Sequence, residues 1–357
     1  MVQGGMMANG KIPVSILTGF LGSGKTTLLN RLVRHPDMAR ALVVINEFGE
    51  IGLDHDLVER ATDDMVLLQS GCLCCTVRSD VIETLLAMLK KAKDGEIAPF
   101  ERVVIETTGL ADPAPILQAF MSDAQMTRYF ALDGVIATID AVAGAATLDR
   151  HIEAVKQAAV ADRLLITKSD LPDADVAGLS ARLAALNPGA PIELRDQNGD
   201  VSPRLLFDVG LYDPSSKSID VRRWLDAEKY PAHEHHEQGH HGHEHAHAEN
   251  DVNRHDAHIR AVCLTFDAPI PGETLDRWLS ALLRLKGPDL LRFKAIVNVA
   301  ELPGPLVLHG VQHVIHPPLG LKEWPSDDRR TRMVFITYDI DEQTLRDSFR
   351  EGIASAA

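Results

Sequence analysis

A glycine-rich stretch at residues 19–26 has the residue types and spacing of a phosphate-binding loop. This phosphate loop (residues 19–26) reads GFLGSGKT, matches G-x-x-x-x-G-K-[ST], and lies between an apolar strand pattern and a helical pattern. Its glycines let backbone N–H groups converge on phosphate oxygens, and the helix start adds partial positive charge. A functionless turn is the alternative. The residues expected to bind nucleotide are Gly19, Gly22, Ser23, Gly24, Lys25, Thr26 and Thr27. Lys25 and Thr26 are also expected to be catalytic, with the Thr26 hydroxyl on Mg²⁺.

The sequence TKSD at residues 167–170 directly follows the strand-like stretch RLLI, and we term it the base motif (residues 167–170). GTPases hold guanine with such an element after a late strand. The Asp170 carboxylate would accept hydrogen bonds from N1–H and N2–H₂ of guanine, donors that adenine lacks. Lys168 is expected to pack its stem over the ring. Thr167 replaces the Asn of many GTPases, so we expect it to lose an amide that braces the phosphate loop and contacts the base. A solvated turn is the alternative.

The stretch VVIETTG at residues 103–109 ends a strand pattern with an acidic residue and has a glycine three positions later. Glu106 is expected to hold Mg²⁺ through water or to orient the attacking water, which makes it a catalytic candidate. Gly109 is expected to offer its N–H to the γ-phosphate and to act as a hinge. A carboxylate at a helix N-terminus is the alternative for Glu106. The sequence contains no identifiable arginine finger, so we expect slow intrinsic hydrolysis.

Three of the four cysteines lie in the sequence GCLCC, at Cys72, Cys74 and Cys75. Cys72 and Cys75 have the C-x₂-C spacing of half a structural zinc site, and thiolates select Zn²⁺, Cu⁺ or iron–sulfur clusters over Mg²⁺. Three thiolates need a fourth ligand, from elsewhere in the chain or from water, so the site would be open and exchangeable. Buried structural cysteines and a vicinal-thiol redox switch are the alternatives.

The motifs GFLGSGKTTLLN, NEFGEIGLDH, GCLCC, ETTGLADP and TKSD occur in this order. Together with the C-terminal stretches LLRFKAIVNV, VLHGVQHV and RMVFITY, they resemble the CobW-type P-loop GTPases, which are metal chaperones. The resemblance implies GTP hydrolysis coupled to the handling of Zn²⁺ or Co²⁺, with the three clustered cysteines as metal ligands. It places Glu47 near the metal and the nucleotide. Asp54 would contact Mg²⁺ or be a solvated loop residue. Ala295 stands where the family often has Gly.

In the sequence, the clustered thiols lie between the phosphate loop and the stretch VVIETTG, two segments that are expected to sense the nucleotide. We therefore expect metal affinity and nucleotide state to be coupled reciprocally. The function predicted from sequence is a GTPase metallochaperone that passes Zn²⁺ to an unidentified client metalloprotein. Three alternatives stay open. They are a cobalt chaperone for cobalamin synthesis, a metal buffer with a vestigial GTPase, and a P-loop kinase that prefers ATP.

Residues 233–247 read HEHHEQGHHGHEHAH and have no apolar side chain larger than alanine. We expect a disordered arm that binds Zn²⁺, Co²⁺ or Ni²⁺ loosely and raises the local metal concentration. An expression tag or a merely solvated linker is the alternative. The ligands would be His233, His235, His236, His240, His241, His243, His245 and His247. His309, His313 and His316 have strand-like spacing in PLVLHGVQHVIH, which we expect to be a strand. We expect these histidines to be satisfied or exposed, and one or two of them acting as metal ligands is the alternative.

The elements that must position these residues follow from hydropathy. Short apolar runs alternate with amphipathic helical patterns from residue 12 to about residue 194, which predicts a mostly parallel α/β sheet. A small α+β domain is expected to follow. The expected divisions are a disordered tail (1–10), a P-loop GTPase domain (11–220), a His-rich flexible linker (221–257) and the C-terminal domain (258–357).

Charge and composition exclude several classes of protein. The formal net charge is -15 and no basic cluster is present, which argues against nucleic-acid binding. The first ten residues do not resemble a signal peptide, and no apolar run is long enough to span a membrane. Clustered cysteines without a disulfide framework indicate a reducing, cytoplasmic compartment. The oligomeric state stays open, a homodimer included.

Overall fold

A computed structural model describes residues 10–46, 66–70, 77–194, 203–207, 258–325 and 327–354. Within these ranges the chain forms a parallel sheet flanked by helices and, after it in sequence, an antiparallel sheet with two long helices. The predicted fold class is therefore confirmed. Apart from Gly10, the expected tail lies outside the described residues, as does the expected linker. None of the described helices is long and apolar enough to cross a membrane.

The parallel sheet has the strand order β3-β2-β4-β1-β5-β6-β7 in the described part of the chain. Each neighbouring pair of its strands is parallel, which puts the carboxyl ends at one edge. We refer to it as the carboxyl edge. The strands are β1 (Ile12–Gly19), β2 (Ala41–Asn46), β3 (Val66–Ser70), β4 (Arg102–Glu106), β5 (Phe130–Asp140), β6 (Arg163–Thr167) and β7 (Ile192–Leu194).

Helices cover both faces of this sheet. On one face, Leu29 of α1 shares an apolar cluster with Val43 and Ile136. On the other face, Ile16 and Ile105 belong to a larger apolar cluster with α2, α3, α6 and α7. Burial on both faces explains why β1 is apolar without alternation. The helices are α1 (Lys25–Leu32), α2 (Val77–Lys93), α3 (Ala114–Ser122), α4 (Ala124–Tyr129), α5 (Gly144–Arg150), α6 (Ile152–Val160), α7 (Val176–Leu186) and α8 (Pro203–Leu206).

The second sheet is antiparallel and has the order β11-β10-β9-β13-β8, with β12 paired to β10. Its helices pack an aromatic group against it, in which Trp278 makes edge-to-face contacts with Phe335 and Phe349. The elements are β8 (Ile259–Phe266), α9 (Gly272–Lys286), β9 (Leu290–Val297), β10 (Leu306–Val311), β11 (Val314–Ile315), β12 (Leu319–Gly320), β13 (Thr331–Tyr338) and α10 (Glu342–Ala354).

The stretch PLVLHGVQHVIH is predicted from sequence to be one strand, and this prediction is wrong. The chain reverses after β10 and returns as β11, with Val311 and Val314 as register partners. Gln312 takes a left-handed φ of 53° in this turn, a conformation that a continuous strand does not allow. Ala295, which stands where the family often has Gly, lies inside β9 and is the register partner of Leu308 and Met333. The chain therefore makes no turn at this position.

The two sheets are joined by apolar and charged contacts. Leu291, Ile296 and Val307 of the antiparallel sheet belong to the same apolar cluster as α3 and α6. Beside them, Asp162 accepts hydrogen bonds from Arg292 Nη2 at 2.7 Å and from Lys294 Nζ at 2.8 Å. These three side chains form a charged cluster that is 0%, 3% and 9% exposed, respectively. We term it the junction cluster (Asp162, Arg292 and Lys294).

Candidate functional site

The phosphate loop joins β1 to α1 at the carboxyl edge of the parallel sheet. Gly24 has a φ of 91°, in the left-handed region where glycine is favoured. Gly19 has a φ of 141°, and a Cβ there would lie 2.4 Å from Thr138 Oγ1 and 2.5 Å from the Thr138 carbonyl oxygen. Ser23 Oγ also lies 2.7 Å from Thr138 Oγ1, within hydrogen-bond distance. The conformation of the loop therefore depends on its glycines and on its packing against β5.

Lys25 begins α1 and directs its ammonium group back over the loop. Its Nζ donates to the Gly19 carbonyl oxygen at 2.7 Å and to the Phe20 carbonyl oxygen at 3.1 Å, and the residue is 7% exposed. A phosphate group at the loop would form a charge-assisted hydrogen bond with this largely buried ammonium group. The arrangement suits an anionic ligand.

Thr26 and Glu106 meet although 80 positions separate them in sequence. Thr26 Oγ1 donates to Glu106 Oε1 at 3.0 Å, and Glu106 is 4% exposed at the last position of β4. Leu17 of β1 is the register partner of Glu106, which explains the approach. A hydroxyl and a carboxylate are hard oxygen ligands, so this pair fits Mg²⁺. The alternative of a helix N-terminal carboxylate does not hold, since α3 begins only at Ala114.

The segment after β4 packs directly against the phosphate loop. We term it the Gly109 loop (residues 107–112). A Cβ on Gly109 would lie 2.6 Å from the Leu21 backbone nitrogen, so no larger residue fits without moving one of the two loops. Gln157 of α6 donates its Nε2 to the carbonyl oxygens of Gly109 at 3.1 Å and Ala111 at 3.0 Å. The Gly109 loop is thus tied to α6 as well as placed beside the phosphate loop.

The base motif lies at the end of β6 and is bonded to the phosphate loop. Thr167 Oγ1 donates to the Ser23 carbonyl oxygen at 2.7 Å and to the Ile139 carbonyl oxygen at 3.2 Å. The Thr167 hydroxyl therefore braces the phosphate loop although the amide is absent, while the expected loss of the amide's contact with the base stays a prediction. Lys168 has a left-handed φ of 56° and pairs with Asp140, while Asp170 is exposed at the carboxyl edge.

Two family models match the chain. Residues 13–193 match a model described as the CobW/HypB/UreG nucleotide-binding domain. This match covers more than half of the chain and includes the phosphate loop, Glu106 and the base motif. The chain belongs to the CobW/HypB/UreG family. Residues 259–353 match the C-terminal domain of the cobalamin synthesis protein cobW, so the resemblance to CobW-type proteins is confirmed for both sheets.

Relatives of this CobW-type chain match it over nearly its whole length. It is 31% identical over 340 residues to the zinc chaperone YjiA of Escherichia coli strain K12, with 95% of this chain and 98% of YjiA covered. It is 31% identical over 370 residues to the zinc chaperone CobW of a Sinorhizobium species, with 94% and 96% covered. A crystal structure of the Zn(II)-bound YjiA GTPase has a TM-score of 0.69 at 30% identity and covers 96% of this chain and 99% of its own.

Apart from Thr26 and Glu106, the metal ligands expected in this CobW-type chain lie outside the described residues. These are Glu47, Asp54, the three clustered cysteines and the eight histidines of the arm at 233–247. Two of these segments directly follow described strands in the sequence. Asn46 of β2 and Ser70 of β3 are register partners at the carboxyl edge. In β2, Ile45 pairs with Glu106 of β4.

His309, His313 and His316 lie around β10 and β11. In the described ranges, no group of three or more His, Cys, Asp or Glu side chains is arranged to hold a metal. His309 is buried, and burial, with Lys294 and Arg292 nearby, holds its pKa well below 6.5, so it is neutral. His316 Nδ1 lies 3.0 Å from the Pro317 carbonyl oxygen, and His313 is exposed. His313 and His316 agree with the expectation of exposed or satisfied histidines, whereas His309 is buried inside the sheet.

Two residues of the site have no motif and were not singled out from sequence. Gln157 lies in the middle of α6 and Asp140 ends β5, and each holds a segment that the motifs do identify. A single glutamine in an amphipathic helix gives no local signal. Asp140 does have one: it ends an apolar strand run, at the edge where parallel strands place functional side chains.

Proposed function

We propose that this chain is a GTP-hydrolysing metallochaperone that binds Zn²⁺ at Cys72, Cys74 and Cys75 and transfers it to client metalloproteins. The observation that supports the GTPase activity most strongly is the convergence of the phosphate loop, the Thr26–Glu106 pair and the base motif at the carboxyl edge. The metal specificity rests on the relatives, which are named zinc chaperones, and on the preference of thiolates for Zn²⁺.

GTP would lie along the carboxyl edge, from Glu106 to the base motif. The backbone N–H groups of the phosphate loop would hold the phosphates, with the Lys25 ammonium group on the β- and γ-phosphates. At the other end, the exposed Asp170 carboxylate would accept two hydrogen bonds from guanine. The brace from Thr167 to Ser23 supports this arrangement, because it fixes the distance between the phosphate and base ends of the site.

Hydrolysis would use the Thr26–Glu106 pair and the Gly109 loop. Thr26 and Glu106 would hold Mg²⁺, with Asp54 as a further contact, and the ion would neutralise charge that develops on the phosphates. Glu106 would also orient the attacking water. The Gly109 N–H would bond the γ-phosphate, so the loss of that phosphate would release the Gly109 loop from the phosphate loop.

The zinc site would form at the same edge. Glu47 directly follows Asn46, and Cys72 is two residues beyond Ser70, so chain connectivity limits how far either can lie from the ends of β2 and β3. Glu47 would complete the three thiolates as the fourth ligand. Because β2 adjoins the strand that carries Glu106, the nucleotide state and the thiolate geometry would influence each other.

The remaining features extend the same proposal. The arm at residues 233–247 would collect metal ions loosely and deliver them to the thiols, and Co²⁺ would compete for both sites. We place the protein in the cytoplasm, where reduced thiols persist. The antiparallel sheet would contact the client, and the proposal also allows a homodimer.

Guanine specificity is tested by Asp170→Asn. We expect the affinity for GTP to fall about 100-fold, because the Asn oxygen can still accept from N1–H, but the charge-assisted bond from N2–H₂, which contributes about 1.5–3 kcal/mol, is lost and an amide N–H₂ faces that group. We expect the affinity for XTP to rise, since the Asn amide donates to the C2 oxygen that xanthine has in place of the guanine amino group. Titration with fluorescent nucleotide analogues measures both affinities.

The matched control for this variant is Asp173→Asn, which changes an exposed carboxylate three positions downstream. It should leave the affinities for GTP and XTP unchanged. If Asp170→Asn binds GTP as tightly as the wild-type chain, or if the wild-type chain prefers ATP, the guanine assignment is wrong and a P-loop kinase becomes the better interpretation.

Coupling between metal and nucleotide is tested by measuring Zn²⁺ affinity with bound GDP and with a non-hydrolysable GTP analogue. We expect the two affinities to differ by about 5-fold or more, within the usual range for linked sites. The variant Cys74→Ser should lose most of the high-affinity Zn²⁺ binding in both states, since it removes one of three thiolates. Competition with a zinc-responsive dye gives the affinities.

Cys263 provides the control thiol for the zinc experiment. Burial raises its pKa to about 11, so it is protonated at neutral pH and is a poor metal ligand. Cys263→Ser should therefore leave Zn²⁺ affinity unchanged. Equal Zn²⁺ affinities in the GDP and GTP-analogue states would contradict the proposed coupling and would favour a simple metal buffer.

A further inference from the structure

Asp140, the last residue of β5, is bonded to the lysine of the base motif. Its Oδ2 accepts a hydrogen bond from Lys168 Nζ, and Thr167 is its register partner on β6. Its Oδ1 accepts from the backbone N–H groups of Val142 at 2.8 Å and Ala143 at 3.2 Å. The Asp140 side chain is 13% exposed and that of Lys168 is 37% exposed. The Oδ1 atom thus holds the carboxylate against the backbone, and the Oδ2 atom binds the Lys168 ammonium group.

The backbone of Lys168 is also held in an unusual conformation. Its φ of 56° lies in the left-handed region, which costs a residue with a Cβ about 1–3 kcal/mol and persists only where the surroundings impose it. Around it, Thr167 bonds the phosphate loop, and Leu171 N donates to the Lys168 carbonyl oxygen at 3.2 Å. Backbone and side chain of Lys168 are therefore both constrained before a base binds.

We propose that Asp140 is a positioning residue for guanine, which acts by anchoring the Lys168 ammonium group so that the lysine stem lies against the purine ring. This inference rests on the proposed GTPase function and adds a residue outside the base motif. A free lysine side chain loses up to about 2 kcal/mol of conformational freedom when it is ordered. An anchor within the protein pays that cost before the nucleotide arrives, and affinity rises accordingly.

The charge state of the carboxyl group agrees with this role. Burial alone would raise the pKa of Asp140, but the hydrogen bond from Lys168 and those from two backbone N–H groups hold it below 3.8. The carboxylate is consequently ionised at neutral pH. A purely structural role is the competing explanation, in which Asp140 serves only to cap the turn that leads into α5.

The variant Asp140→Asn separates the two explanations. Asn keeps an oxygen for the N–H groups of Val142 and Ala143, but it places an amide N–H₂, which cannot accept, opposite Lys168. We expect the Kd for fluorescent GDP and the KM for GTP to rise about 10-fold, while kcat changes less than 2-fold. Thermal unfolding should stay within about 2 °C of the wild-type value. Asp140→Ser, which keeps an acceptor for the turn, should behave in the same way.

A double-mutant cycle with Lys168→Met tests whether Asp140 acts through the lysine. In the Lys168→Met background, Asp140→Asn should change the Kd less than 2-fold. The role of Asp140 is overturned if its replacement leaves the Kd unchanged in the wild-type background, or if the 10-fold loss persists without Lys168. Equal affinity of the wild-type chain for GDP and ADP would instead overturn the guanine assignment, so the two failures are distinguishable.

Discussion

The variant Asp162→Asn is expected to unfold with a free energy about 3–5 kcal/mol below that of the wild-type chain. Asp162 is fully buried in the junction cluster, where its Oδ1 accepts from Arg292 and Lys294. Its Oδ2 accepts from the Val135 N–H at 3.0 Å. An Asn side chain keeps the volume but leaves two desolvated cations beside a neutral amide. Urea denaturation followed by circular dichroism and tryptophan fluorescence measures the loss.

The control for the junction cluster is an ion pair of the same charge type at the surface. Glu273 and Arg277 of α9 pair at 3.1 Å with 89% and 61% of their side chains exposed. Glu273→Gln should change the free energy of unfolding by less than about 0.5 kcal/mol. A loss at Asp162→Asn that is no larger than this would contradict the assignment of Asp162 as the counter-ion that holds the two sheets together.

A triple replacement distinguishes an unpaired charge from a general packing defect. Asp162→Leu combined with Arg292→Met and Lys294→Met removes every charge of the junction cluster at once. Because this variant removes both cations together with the carboxylate that they face, it should recover at least half of the stability that Asp162→Asn loses. If the triple variant is less stable than Asp162→Asn, the packing of these side chains matters more than their charges.

The pH dependence of stability gives a second check on Asp162. Burial would raise its pKa, but the Arg292 and Lys294 cations more than offset this and hold the pKa below 3.8. A carboxyl group with a lowered pKa in the folded state contributes stability above its unfolded pKa and loses it as the pH falls. The difference in the free energy of unfolding between the wild-type chain and Asp162→Asn should therefore have its full value at neutral pH and become smaller below about pH 4.

The geometry of the candidate nucleotide site was largely predictable because its motifs are local. The backbone of the phosphate loop is specified by glycines a few residues apart, and Gly24 takes the left-handed conformation that such a loop needs. The approach of Glu106 to Thr26 follows from one further step, since both end up at the carboxyl edge once β1 and β4 are parallel neighbours. Short-range pattern and sheet geometry were sufficient here.

The contacts that hold these motifs in place were not predictable in the same way. Asp140 and Lys168 are 28 positions apart, Gln157 is 48 positions from Gly109, and Asp162 is 130 from Arg292. No spacing rule links such residues, because their proximity depends on how whole elements pack. The same holds for Thr167, whose hydroxyl replaces an amide brace only because β6 delivers it to the Ser23 carbonyl. Tertiary structure alone supplies these pairs.

Replacing Lys25 by Ala is expected to lower the rate of GTP hydrolysis about 10²–10³-fold, the usual effect of losing one group that stabilises transition-state charge. Lys25 would provide a desolvated positive charge at the γ-phosphate, and Ala has nothing to replace it. The fold should tolerate the change, because the Gly19 and Phe20 carbonyls lose one donor and the free energy of unfolding falls by only about 1 kcal/mol. Phosphate release at saturating GTP measures the rate.

Two comparisons give the Lys25→Ala result its meaning. Lys90→Ala removes an exposed lysine of α2 and should leave hydrolysis unchanged. Thr26→Val keeps Lys25 but removes the hydroxyl that bonds Glu106, so it should raise the Mg²⁺ concentration needed for half-maximal activity, which Lys25→Ala should not. Hydrolysis by Lys25→Ala within 3-fold of the wild-type rate would mean that the phosphate loop is not where the reaction takes place. If Lys25→Ala lowers only the rate and Thr26→Val raises only the Mg²⁺ requirement, then Lys25 stabilises the negative charge of the γ-phosphate, and Thr26 and Glu106 hold the metal.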